Sequence, residues 1–178
     1  MHILVAGVGN IFLGDDAFGV EVARRMARRP LPEGVRVVDF GIRGYDLAYA
    51  LMDGPDLTIL VDAVPRGGVP GTLYTIEPDL TEADPAGGTF SGHGMNPMNV
   101  FRLVRAMEGR MKRLVVVGCE PMAVDEDSAL GLSPPVRRAV DEAVRVVESI
   151  IEKEVTHSRA FDRIEYRGGD HRGVAEPR

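Results

Sequence analysis

Three acid–base side chains stand out in this chain because of what surrounds them. Asp16 follows a glycine-punctuated run, Gly7-Val-Gly9-Asn10-Ile-Phe-Leu-Gly14-Asp15-Asp16. Asp62 directly closes the apolar run Leu57 to Val61. His93 sits between glycines in Ser91-Gly92-His93-Gly94-Met95-Asn96-Pro97. Two carboxylates and one imidazole suit a borderline divalent metal that keeps a position open for water or substrate. Each residue also has a plain structural role open to it. Asp15 is suited to capping the following helix, with Asp16 complementing its dipole. Asp62 is suited to capping a turn, and His93 to a surface loop. A carboxylate closing a buried strand, however, must be paired or coordinated to offset its desolvation. Two further nucleophiles are present. Cys119 ends an apolar strand, where an inert buried thiol is expected. Ser91 is near His93, but near neighbours in sequence rarely make a nucleophile–base pair.

These residues must be held by something, and the pattern around them is that of alternating strands and helices. His2–Val8, Val35–Val38, Leu57–Val61 and Arg113–Cys119 read as strands. Residues 71–76 alternate in polarity like a half-exposed strand near a sheet edge. Helices are expected over Asp16–Arg28, Tyr45–Met52 and Met98–Met107. A long final helix starts with Ser133 as N-cap and Pro134 at its first position. Residues 77–97 and 120–132 read as long polar loops. In parallel sheets, ligands bind beyond the carboxyl ends of the strands where the order reverses. If the order runs 2-1-3, as in flavodoxin-like sheets, the loops after Val8 and Val61 meet there. Asp16, Asp62 and His93 would then come from three loops at one end of the sheet.

The whole composition narrows the choices. The chain has 178 residues, enough for one domain with a sizeable core. Its net charge of -6 argues against a nucleic-acid partner. A lone cysteine excludes an intrachain disulfide and fits a reducing compartment. No run reaches membrane-spanning length, and the short apolar start lacks a basic flank, so a cytoplasmic protein without a signal peptide is expected. A domain over 1–152 is expected, followed by a charged, disordered tail over 153–178.

Taken in order, Gly9-Asn10-Ile-Phe-Leu-Gly14-Asp15-Asp16, Asp39-Phe-Gly41-Ile-Arg-Gly44, Ile59-Leu-Val-Asp62-Ala63, Ser91-Gly92-His93, Gly118-Cys-Glu120-Pro121 and Leu132-Ser133-Pro134 resemble the hydrogenase maturation endopeptidases. The resemblance spans about the first 150 residues. It implies a three-layer α/β fold of phosphorylase/hydrolase type, with a twisted, mostly parallel sheet of about five strands and helices on both faces. It implies that Asp16, Asp62 and His93 correspond to the family's metal-contacting and catalytic positions. It implies a client, the nickel–iron hydrogenase large-subunit precursor, which loses a C-terminal extension after nickel insertion. Nickel would then be presented by the substrate, with no organic cofactor. The chain departs from the family in carrying Ala17 where glycine is common; Asp16 is glutamate in some members.

Two other readings compete. A non-proteolytic, metal-binding assembly chaperone would use the same ligands. A dinucleotide-binding protein would use Gly7-x-Gly9 and place Asp39 on a ribose. Against the latter, Gly14 comes too late for the fingerprint, and Asp15 and Asp16 would repel a pyrophosphate at the helix start.

Overall fold

The computed structural model describes residues 1–78, 97–107, 109, 111–122 and 130–168, with side chains left aside at 97–99 and 159–168. Strands β1 (Ile3–Val8), β2 (Val35–Gly41), β3 (Leu57–Ala63), β4 (Leu73–Ile76) and β5 (Leu114–Cys119) form one sheet in the order β2-β1-β3-β5-β4. The first four in that order pair in parallel, and β4 joins β5 antiparallel as an edge strand. The 2-1-3 order at the β1/β3 switch point is the one expected. The expected α/β architecture is present, and its antiparallel edge makes the sheet mixed.

The helices are α1 (Phe18–Met26), α2 (Gly44–Met52), α3 (Pro97–Ala106) and α4 (Pro134–Gly168). Strand side chains alternate between two cores, as the two-residue period of a pleated strand requires. Ile3 and Val5 face α1 and α4, in a core with Phe18, Val22, Val136, Val140 and Val144. Leu4, Ala6 and Val8 face α2 and α3, in a core with Leu47, Leu51, Phe101 and Val104. Each strand near the centre is therefore covered on both faces, and this is why β1 and β3 read as unbroken apolar runs. Surface ion pairs Arg25–Asp141 and Arg29–Glu148 join α1 to α4 at 2.7 and 2.8 Å, adding little beside the apolar packing.

Three expectations change in detail. The helix expected from Asp16 begins instead with a 3-10 turn, Gly14–Ala17, and becomes α-helical at Phe18. Neither segment receives a side-chain cap, so Asp15 does not cap its own helix. The charged segment from Lys153 continues as helix to Gly168, because i to i−4 bonding carries on along a chain free of glycine and proline. Residues 169–178, and most of the loop expected over 77–97, lie outside the described residues.

One close approach sets the position of α1. A Cβ on Gly19 would lie 2.0 Å from the Val61 carbonyl oxygen and 2.4 Å from that of Val8. A Cβ on Gly7 would lie 2.3 Å from the Gly19 carbonyl oxygen. The two glycines let the start of α1 touch the backbone of β1 and β3 one residue before Asp62. The expected outcome of Gly19→Ala is a loss of about 3 kcal/mol, since rigid backbone must give way to the added methyl. Denaturant midpoints of the two proteins, at unchanged slope, check it.

Candidate active site at the carboxyl end of the sheet

Four connections leave the carboxyl ends of the parallel strands, and among the described residues four carboxylates stand on or at the start of them. Asp15 and Asp16 lie in the 3-10 turn after β1, Asp62 is the sixth residue of β3, and Glu120 follows β5. Their surroundings divide them into two kinds.

Asp15 and Glu120 are buried, at 2% and 4% exposure, and both are fully supplied with donors. Asp15 accepts hydrogen bonds from Met122 N (2.8 Å), Ser133 N (2.7 Å) and Ser133 Oγ (2.8 Å). Glu120 accepts from Arg66 N (2.9 Å to Oε2), Gly67 N (3.0 Å) and the Tyr74 hydroxyl (2.7 Å). Burial would push the Glu120 carboxyl up, but bonds from Tyr74 and the backbone of Arg66, Gly68 and Gly67 outweigh it and hold its pKa below the usual range. These two carboxylates are spent on holding loops.

Asp16 and Asp62 are half-buried, and the described residues supply each with one backbone donor. Asp16 Oδ2 accepts from Asn10 N at 2.6 Å. Asp62 Oδ1 accepts from the amide of its own neighbour, Ala63, at 2.8 Å. Burial raises the Asp16 pKa against the lowering effect of the Asn10 amide. Burial, and then the charge of Asp16, raise the Asp62 pKa well above the carboxylate range. The two groups are thus close enough to repel, on loops that meet because β1 and β3 are neighbours. For such a pair a cation or further donors would favour the charged forms.

The backbone fixes Asp16 from beneath. Gly9 holds φ of 128°, and a Cβ there would lie 1.8 Å from the Asp16 carbonyl oxygen. Glycine is needed both for that conformation and for that contact. These glycines serve packing of the turn and of α1. Asp39, the residue a ribose would need, accepts from Arg24 Nε at 3.0 Å. With Asp15 and Asp16 at the start of α1, the dinucleotide reading has no anion site left.

His93 lies outside the described residues, so its approach to the two aspartates has no geometry here. Among the described residues no set of three histidine, cysteine or acidic side chains is grouped as a metal site. Cys119 is buried, and burial, Asp15 and Glu120 push its thiol up to about 12. It is a thiol at neutral pH, as its place at a strand end suggests. A cavity of about 410 Å³ lined by His2, Gly34, Val35, Arg36 and Asp53 lies at the amino ends of the strands, opposite the carboxylates.

Sequence reasoning took Asp15 for a cap and Glu120 for the start of a polar loop. For Glu120 a signal was present, since it follows a buried strand as Asp62 does. For Asp15 there was none, because its donors lie more than 100 residues away.

The comparisons with known proteins agree with this fold and give its family. The model of the hydrogenase maturation protease family, HycI, matches residues 20–150. A putative hydrogenase maturation protease of Methanocaldococcus jannaschii is 33% identical over 160 residues, covering 85% of this chain and 97% of that one. The hydrogenase 2 maturation protease of Escherichia coli is 31% identical over 150 residues, covering 83% and 88%. The solved structure of the hydrogenase maturating endopeptidase HybD from E. coli superposes with a TM-score of 0.73 at 28% identity, covering 86% and 94%.

Two outcomes follow for the free protein. Asp62 ionises less readily folded than unfolded, so it costs the folded state stability as pH rises from the ordinary carboxylate range through its raised value. Asp62→Asn is therefore expected to be more stable than the parent at neutral pH, with the difference vanishing in acid; thermal melts from acid to neutral pH check the sign. Thiol alkylation should leave the native protein unmodified at neutral pH and proceed only on unfolding, as read by intact mass.

Proposed function

Because the chain belongs to the hydrogenase maturation protease family, we propose that it removes the C-terminal extension of a nickel–iron hydrogenase large-subunit precursor after nickel has been inserted. The observation that carries this reading is the under-supplied pair Asp16 and Asp62, half-buried, mutually repelling and set on two loops at the switch point of the sheet. Such a pair gains most from a divalent cation, which offsets both the desolvation and the repulsion. In this reading the cation is the nickel that the precursor carries, and Asp16, Asp62 and His93 contact it. An empty precursor brings no positive charge to the two carboxylates, so it is not held for cleavage.

The same end of the molecule suits a protein client. Phe12, Ile42, Val69, Met122 and Leu130 are exposed on the connections beyond the carboxyl ends of the strands, and Tyr45 is exposed in the first turn of α2. Exposed apolar side chains gathered on loops around one site favour a macromolecular surface over a small molecule. With the precursor docked, one of the two aspartates is placed to take a proton from water as it attacks the scissile carbonyl, and the substrate's nickel supplies charge close by. No helix among the described residues is long and apolar enough to cross a membrane, and the reading places the reaction in the cytoplasm.

The test is intact mass spectrometry of nickel-loaded and nickel-free precursor after incubation with the protein. A discrete C-terminal loss only from the loaded form is expected. Asp16→Asn and Asp62→Asn should slow that loss by about 100-fold or more while keeping the fold. An unchanged precursor mass would point to an assembly chaperone, and normal processing by both variants would remove the aspartates from the mechanism.

A further inference from the structure

The mechanism uses Asp16 and leaves its neighbour Asp15 unexplained, although Asp15 is the more deeply buried of the two. Its three donors come from Met122, just past β5, and Ser133, just before α4. One carboxylate thus ties the turn after β1 to the end of the β5 connection and to the first residue before α4. Ser133 stands at the N-cap position, with its carbonyl accepting from Arg137 N at 2.8 Å, yet its hydroxyl donates to Asp15. The cap residue of α4 is used to grip the turn that carries Asp16.

We propose that Asp15 is a positioning residue for the proteolytic site: clamped by Met122 and Ser133, it fixes the direction in which the Asp16 carboxylate points. The proposal rests on the reading of Asp16 given above. Two features of the turn support it. Asp15 and Asp16 are consecutive in a 3-10 turn, so their Cα–Cβ bonds leave the axis about 120° apart and reorient together when the turn moves. Within the turn itself, Asp16 is held by Asn10 N on its carboxylate and by its own amide to the Leu13 carbonyl at 3.0 Å, both from the same short loop. The clamp on Asp15 is what refers that loop to β5 and α4. A charged group is suited to this, because three donors converge on it and an amide in its place would turn an N–H toward one of them.

The experiment compares Asp15→Asn, Ser133→Ala and Ser133→Thr by two readouts. One is the amide proton of Asn10 in the free full-length chain by NMR, which reports the bond to Asp16 whatever the protein's activity. The other is the kcat and KM of precursor processing. In Asp15→Asn the Asn10 amide should move upfield while core amides such as Val5 and Ile59 stay in place. The kcat should fall about 100-fold with KM within about twofold, the size expected from misplacing a reacting group by about an ångström. Ser133→Ala should shift both readouts in the same direction by less, and Ser133→Thr should restore them. If Asp15→Asn does not fold, the serine pair decides. An Asn10 resonance that stays in place in the folded variants overturns the proposal. A shifted resonance with unimpaired processing keeps the clamp and overturns the reading of Asp16 as a reacting group.

Discussion

A carboxylate taken out of water must find donors, a cation or a proton, and this one requirement orders the whole carboxyl end of the sheet. Among the described residues four acids stand there on a floor of buried strands. Asp15 and Glu120 meet the requirement with three donors each. From the described residues Asp16 and Asp62 receive one backbone amide each, and both are pushed toward the protonated form. The first two stabilise loops; the described residues leave the demand of the second two unmet. That division separates scaffold from site more sharply than burial does, since the more deeply buried acids are the structural ones.

The sheet makes the unmet pair possible. Placing β1 beside β3 sets their two following loops next to each other, and the Gly7–Gly19 contact draws α1 down onto that junction. Helix α1 then starts within reach of both strands, so Asp16 comes close to Asp62 instead of projecting into solvent. The apolar cores on the two faces supply the stability against which this strained pair is held. Unfavourable charge at such a pair is tolerated because the rest of the fold over-determines its position.

The loops at this end are held unequally. The connection after β3 is fastened by Glu120 and Tyr74, and the turn after β1 by Asp15 to Ser133 and Met122. Between these fastened points stand exposed apolar side chains such as Phe12 and Val69, as a protein-binding rim needs. A rim fixed at its base and apolar at its edge is the arrangement that the proposed docking of a folded client needs.

The sequence alone determined the fold class, the strands and the place of Asp62 at the end of a buried strand. Buried parallel strands leave continuous apolar runs, and an acid at the end of such a run is conspicuous, which is how Asp62 was legible. The ordered resemblance carried the family, because six short segments in order are far more specific than any one. Tertiary structure alone decided which acids the described residues satisfy and which they do not. Asp15 and Asp16 are chemically identical neighbours, and nothing local distinguishes them. The donors that satisfy Asp15 lie over 100 residues along the chain and reach it only because α4 packs beside α1. Likewise the repulsion between Asp16 and Asp62 exists only once β1 and β3 are paired. Residue type and spacing reveal which groups are capable of chemistry; the supply of hydrogen bonds is a property of the folded neighbourhood, and it decides which of them are left to perform it.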